Sequence, residues 1–157
     1  MRKTNVHRLL DKEKIAYQIH EYAWKEDSLD AETAASQTNI PLDKVFKTLV
    51  TVGDKTGPVV VVIRAQDELN LKKLAKVSGN KKIDMLPMKD LEKTTGYIRG
   101  GCSPIGMKKS YPTYIDSYAE GLEYLVISAG KRGSQVELSP ADLKEMTKAA
   151  YADLRAE

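Results

Sequence analysis

Three stretches of this 157-residue chain hold groups able to do chemistry. The first is Gly100-Gly101-Cys102-Ser103-Pro104-Ile105-Gly106. Its glycines allow positive φ and close approach of the backbone to a ligand. Successive N–H groups in such a turn can cradle an anion. The spacing Gly101-x-x-x-x-Gly106 imitates a nucleotide phosphate loop, but Met107 stands where the loop lysine belongs, which excludes triphosphate hydrolysis of that kind. The second is Lys47, within Val45-Phe46-Lys47-Thr48-Leu49-Val50. On a strand it shares a face with Val45 and Leu49, while Phe46 and Thr48 face the other way. A cation on an apolar face needs a partner or a ligand, unless it snorkels to water or guards a sheet edge. The third is Ser128-Ala129-Gly130-Lys131-Arg132-Gly133-Ser134. Two basic residues between glycines after an apolar strand suit a phosphate or a ribose, or equally a solvated hairpin turn.

Cys102 acts as a nucleophile only with a base beside it, and nothing in the spacing puts His7 or His20, the two histidines, near it. His7 is expected on the polar side of a helix and His20 facing outward from a strand. A single cysteine excludes an intrachain disulfide, and with two histidines it leaves too few soft ligands for an ordinary structural zinc. No metal or cofactor is expected.

One α/β domain spanning residues 1–157 is expected to position these groups. Thr4 or Asn5 caps a first helix carrying Val6, Leu9 and Leu10 on one face. A strand covers Ala16 to Tyr22, with Tyr17 and Ile19 on one side and His20 and Tyr22 on the other. Ala31, Ala34 and Ala35 suggest a short helix after Asp30. Val45–Val52 and Val59–Ile63 read as strands joined by a turn at Gly53 to Pro58. Asn70 caps a helix that Gly79 stops. A short strand at Lys82–Leu86 and a short helix at Met88–Thr95 lead into the loop Tyr97 to Gly106. Strands follow at Thr113–Asp116, Glu123–Ser128 and Gln135–Leu138. Ser139, Pro140 and Asp142 start a last helix whose core stripe is Leu143, Met146, Ala150 and Leu154.

Composition sets outer limits. Hydrophobic residues make up 41% and charged residues 30%, a globular balance. Against 25 basic residues stand 22 acidic ones, for a net charge of +3, so only clustering argues for a nucleic-acid partner. Lys72-Lys73, Lys81-Lys82, Lys108-Lys109 and Lys131-Arg132 are the candidates for such a face. The longest apolar run, Pro58 to Ile63, is too short to cross a bilayer. No signal-peptide pattern follows Met1, and the expected location is the cytoplasm.

In order and separation, four stretches resemble the YbaK/EbsC family of aminoacyl-tRNA deacylases, related to the editing domain of prolyl-tRNA synthetase. They are Tyr17 to Tyr22, Val45 to Val50, Thr95 to Gly106 and Ser128 to Gly133. The resemblance runs from near residue 4 to near residue 145. It implies a mixed, strongly curved, partly barrel-like β-sheet surrounded by helices. It implies that Lys47 is the essential pocket residue and that Gly100–Pro104 is the family's Gly-x-x-x-P loop, holding the aminoacyl carbonyl region. On that basis Lys47, Gly100 and Gly101 are the catalytic candidates. Tyr22, Thr48, Ser103, Pro104, Ser128, Gly130 and Gln135 are the substrate-binding candidates.

The implied activity is cleavage of the ester in a mischarged tRNA, Cys-tRNA(Pro) first. The implied partners are the tRNA 3′ end and prolyl-tRNA synthetase. Backbone N–H groups of the Gly100–Gly101 turn would serve as oxyanion donors. The substrate's own thiol or a water would be the nucleophile, and the reaction a lyase or hydrolase step accordingly. A non-catalytic module that binds the tRNA end or a synthetase is the alternative. The family member best known for cysteinyl-tRNA differs by an aromatic near Leu29, an acidic residue at Gln135 and an aliphatic one at Cys102.

Overall fold

The computed structural model describes residues 3–23 and 39–156. The alanine-marked helix expected after Asp30 lies outside the described residues. Helix α1, Asn5–Lys12, starts where Thr4 accepts the His7 N–H and the His7 ring accepts the Thr4 N–H, a reciprocal cap. Strand β1 is Gln18–Glu21. The hairpin β2, Phe46–Gly53, and β3, Gly57–Arg64, is paired from Phe46↔Arg64 to Gly53↔Gly57. Helix α2, Leu71–Ser78, is capped by the Asn70 side chain and stopped by Gly79 at φ 77°. Then come β4, Ile83–Met85, the short α3, Leu91–Thr95, and β5, Thr113–Asp116. The chain closes with β6, Leu125–Ser128, β7, Ser134–Leu138, α4, Pro140–Thr147, and β8, Ala150–Ala152.

Five of these strands form one mixed sheet in the order β4-β2-β3-β5-β8, with β5 parallel to both β3 and β8. The other three form an antiparallel sheet, β1-β7-β6. A parallel bridge between Val45 and Val126 joins the edge of β2 to β6. The sheets are therefore edge-linked and open, not a closed barrel.

Val59 to Ile63 are all fully buried, which explains their unbroken apolar run. Each such side chain contributes about 1.5–3 kcal/mol of burial. On one face Val59, Val61 and Ile63 pack against Leu74 and Ala75 of α2 and against Leu154. On the other, Val62 and Phe46 join Val6 and Leu10 of α1, Leu143 of α4 and Ile105 of the glycine-rich loop. A helix layer thus lies on each side of the β2–β3 hairpin.

The last helix departs from expectation. Ser139 accepts the Asp142 N–H and Pro140 opens the helix, as expected, but Lys148 turns left-handed at φ 56° and ends it. Ala150 and Tyr151 pair with Tyr114 and Ile115 of β5 instead of continuing a helical stripe. Leu154 is buried under α2, its N–H donated to Asp116. The spacing of 143, 146, 150 and 154 is helical, and a lysine at the C-cap gives no stop signal.

Candidate active site

Lys47 is the second residue of β2 and pairs with Ile63 of β3, inside an apolar neighbourhood. It is half-buried, and among the described residues no hydrogen bond or ion pair holds its ammonium group. Burial pulls its pKa below the usual lysine value, opposed by the more distant charges of Asp67 and Glu68. A desolvated cation without a partner has a strong electrostatic demand for an anion or a dipole.

The strand registers place other polar residues on the same face. His20 of β1 stands opposite Gln135 of β7, and Gln135 opposite Ser128 of β6. Their strand neighbours Val136 and Ile127 point the other way, into the core. The Val45–Val126 bridge fixes the register of β2 against β6. Lys47 and Ser128 each lie two residues beyond that isolated bridge, on the side of the bridged pair. The row His20, Gln135, Ser128 crosses three paired strands, about 4.8 Å apart each. His20 Nε2 lies 2.8 Å from Glu137 Oε1, diagonal to it across the β1–β7 pair. Gln135 is 6% exposed, and among the described residues its Oε1 has no hydrogen-bond partner. Sequence reading expected His20 to face outward. It is half-buried and paired with Glu137 on the neighbouring strand, which a single strand pattern cannot reveal.

The turn between β6 and β7 borders this row. Gly130, at φ 96°, gives its N–H to the Ser128 hydroxyl, and Tyr22 gives its N–H to Gly133. Gly101 lies against this turn. A Cβ there would come within 3.1–3.2 Å of the Lys131 and Arg132 backbone, so only glycine fits without displacement. Arg132 Nε donates to Arg99 O at 2.8 Å, a second tie between the two loops. The exposed Arg99, Lys131 and Arg132 thus gather at one cationic rim. The structure brings the glycine loop, the β6–β7 turn, Tyr22, Ser128 and Gln135 together, and Lys47 lies two residues along β2 from the bridge that links the two sheets.

Some candidates sit differently from their expected roles. The Gly101 N–H donates to Ile98 O at 3.0 Å, so it is engaged in a turn instead of standing free as an oxyanion donor. Ser103 is fully buried and its hydroxyl accepts the Ile105 N–H. Pro104 is buried too, and it lines a separate cavity with Lys108, Lys109 and Lys148. The Thr48 side chain points to the core face, its hydroxyl without a partner among the described residues. Its backbone N–H and C=O turn toward the gap between β6 and β4, because Val50 O already accepts from Leu86 on that edge.

Cys102 is half-buried, and burial pushes its thiol up to about 12. His7 is fully buried, not on a polar helix face. Its ring stacks on Tyr17 and closes the α1 cap, a role available to histidine because Nδ1 can replace the usual carboxylate. Neither histidine is hydrogen-bonded to the thiol. Among the described residues no group of three His, Cys, Asp or Glu side chains converges on a metal-sized site.

Residues 25–146 match the profile of the aminoacyl-tRNA editing domain. This chain belongs to that family. The editing domain is 55% identical, over 97% of its own length and 93% of the relative's, to the "Putative Cys-tRNA(Pro)/Cys-tRNA(Cys) deacylase EbsC" of Enterococcus faecalis. It is 30% identical, over 82% of its length, to a proline–tRNA ligase of Lactobacillus delbrueckii subsp. bulgaricus, of which it spans 22%. Its fold matches a crystal structure described as "a putative trans-editing enzyme for prolyl tRNA synthetase", with a TM-score of 0.84, 22% identity and full coverage of both chains. The family resemblance carried by the four sequence stretches is thus shown. What those stretches missed in the editing domain is the His20–Glu137 contact and the buried state of Gln135. Both depend on strand register between segments over a hundred residues apart.

Proposed function

We propose that this editing domain removes the amino acid from a mischarged tRNA in trans, cysteine on tRNA(Pro) being the foremost substrate. The observation that carries this reading is Lys47: a half-buried ammonium without a partner among the described residues, two residues from the bridge that joins the two sheets, in a chain of the editing family. An aminoacyl ester is already activated, so its cleavage needs orientation and charge stabilisation more than a strong base. Lys47 supplies a compact cation with rotatable donors for a phosphate, a ribose hydroxyl or the ester carbonyl. The Gly100 N–H, next to the engaged Gly101 amide, is the loop donor left to the oxyanion. Arg99, Lys131 and Arg132 provide a rim for the terminal phosphates.

The substrate supplies the nucleophile in this scheme. The cysteinyl Sγ attacks the ester carbonyl, a C–S bond forms, and the C–O bond to the ribose breaks. The thiol proton passes to the departing ribose oxygen, giving a cyclic thiolactone and uncharged tRNA. Prolyl-tRNA synthetase is the partner that would deliver the tRNA, in the cytoplasm where tRNA is charged. Purified protein should be assayed on a panel of cysteinyl-, alanyl-, seryl- and prolyl-tRNA. The expected result is rapid loss of cysteine and sparing of the correctly charged prolyl-tRNA. Binding of the panel without loss of any amino acid would establish the non-catalytic alternative.

A further inference from the structure

Gln135 occupies the centre of the polar row and is not explained by what surrounds it. Its carboxamide is more than nine-tenths buried and Oε1 has no hydrogen-bond partner among the described residues. A buried acceptor left unsatisfied costs roughly 1–3 kcal/mol, a cost a ligand bearing N–H donors would cancel. The charges along β7 are graded. At one end, the turn that opens the strand, stands the rim of Arg99, Lys131 and Arg132. At the other stands Glu137, two residues from Gln135 on the same strand face, its carboxylate fixed by His20 at 2.8 Å. A ligand lying along β7 past Gln135 is oriented with its anionic end toward the β6–β7 turn and its cationic end toward Glu137.

An aminoacyl-tRNA terminus has that polarity. Its phosphates and ribose are anionic and hydroxylic, and its α-ammonium is the one cationic hydrogen-bond donor group near the ester. We infer that Gln135, backed by the His20–Glu137 pair, forms the subsite for the α-ammonium group of the aminoacyl ester. The inference rests on the deacylase reading and adds to it a direction of binding and a group to be read. Gln135 contacts the substrate amine through Oε1. Glu137 supplies the negative potential, and His20 holds that carboxylate in place.

The test pairs a change in the protein with a change in the substrate. Wild type, Gln135→Met and Gln135→Glu are assayed at one pH on Cys-tRNA and on 3-mercaptopropionyl-tRNA, which keeps the thiol and the ester but lacks the amine. Dividing the two rates within each protein, and comparing that ratio between proteins, cancels the intrinsic reactivity of each ester. Wild type should favour the amine-bearing substrate tenfold or more, above its chemical reactivity. Gln135→Met should bring that preference close to the chemical ratio, whereas Gln135→Glu, which keeps an acceptor, should retain it. Glu137→Gln, on a half-buried residue, offers a second variant if Gln135→Met fails to fold, and should cut the preference several-fold. An unchanged preference in Gln135→Met, or in Glu137→Gln if Gln135→Met fails to fold, overturns the subsite while leaving the deacylase reading intact. A wild type that cleaves neither substrate overturns both.

Discussion

Cys102 and Lys47 are both desolvated, with opposite consequences for chemistry. Burial pushes the Cys102 thiol up to about 12, so it stays protonated and a weak nucleophile at neutral pH. Burial lowers the Lys47 pKa and strips water from a cation that no side chain among the described residues satisfies. The thiol that matters in the proposed reaction is therefore the substrate's. Cys102→Ala should leave the rate on Cys-tRNA(Pro) within a few-fold of wild type in single-turnover assays, because alanine keeps the loop amides and their backbone angles. Loss of activity in a folded Cys102→Ala protein would return the enzyme thiol to the mechanism. At this scale the sequence was readable for residue type and unreadable for occupancy. It marked the loop glycines for close approach to a ligand, but only the turn geometry reveals that the space at Gly101 is taken by the Lys131–Arg132 backbone and that its N–H is already given to Ile98.

Among the elements, α1 has an unusual dependence on a neutral histidine. The His7 ring accepts the Thr4 N–H and lies fully buried, and burial, the largest cause, lowers its pKa below the ordinary 6.5. The unfolded chain then binds more protons than the folded one between the folded value and 6.5. Stability from this group is full above about 6.5 and is lost as the pH falls through the folded value. Thermal melts from pH 7 to pH 5 should show a decline of a few degrees in midpoint. His7→Gln, which keeps a side-chain acceptor at the third helical position, should flatten that decline. A wild-type midpoint independent of pH over this range would contradict the capping role. The start of α1 was legible because caps have residue signatures, and so was the buried β2–β3 hairpin, written as two apolar runs around a turn. The end of α4 was not, because Lys148 adopts a conformation more usual for glycine, and β8 is an edge strand three residues long.

At the scale of the whole molecule, the candidate site exists only because two sheets meet at one bridge, Val45 with Val126. No local pattern encodes a contact across 81 residues, so Lys47 and Ser128, each marked by its own strand or turn context, were joined into one pocket only through the family resemblance. The surface charge is also organised in ways that composition hides. Lys72, Lys76, Lys81 and Lys82 line one cleft of about 320 Å³ between α2 and β4. Lys73 from the same basic pair is diverted to Asp153 and the Arg155 carbonyl. This cleft suits the phosphate backbone of a tRNA. Lys81→Ala with Lys82→Ala should weaken tRNA binding and lower the salt slope by about two, one for each phosphate contact removed. The side chains are exposed and the backbone bonds to Asp54 remain, so the melting temperature should not move, and an unchanged salt slope would place the tRNA elsewhere. The central claim is that Lys47 is the working group of a deacylase. It is tested most directly by single-turnover release of cysteine from Cys-tRNA(Pro) by wild type and by Lys47→Ala, with thermal melts alongside. The account predicts a loss of roughly a hundredfold or more in rate with stability changed by no more than about 0.5 kcal/mol. Equal rates for the two proteins, both folded, would contradict it.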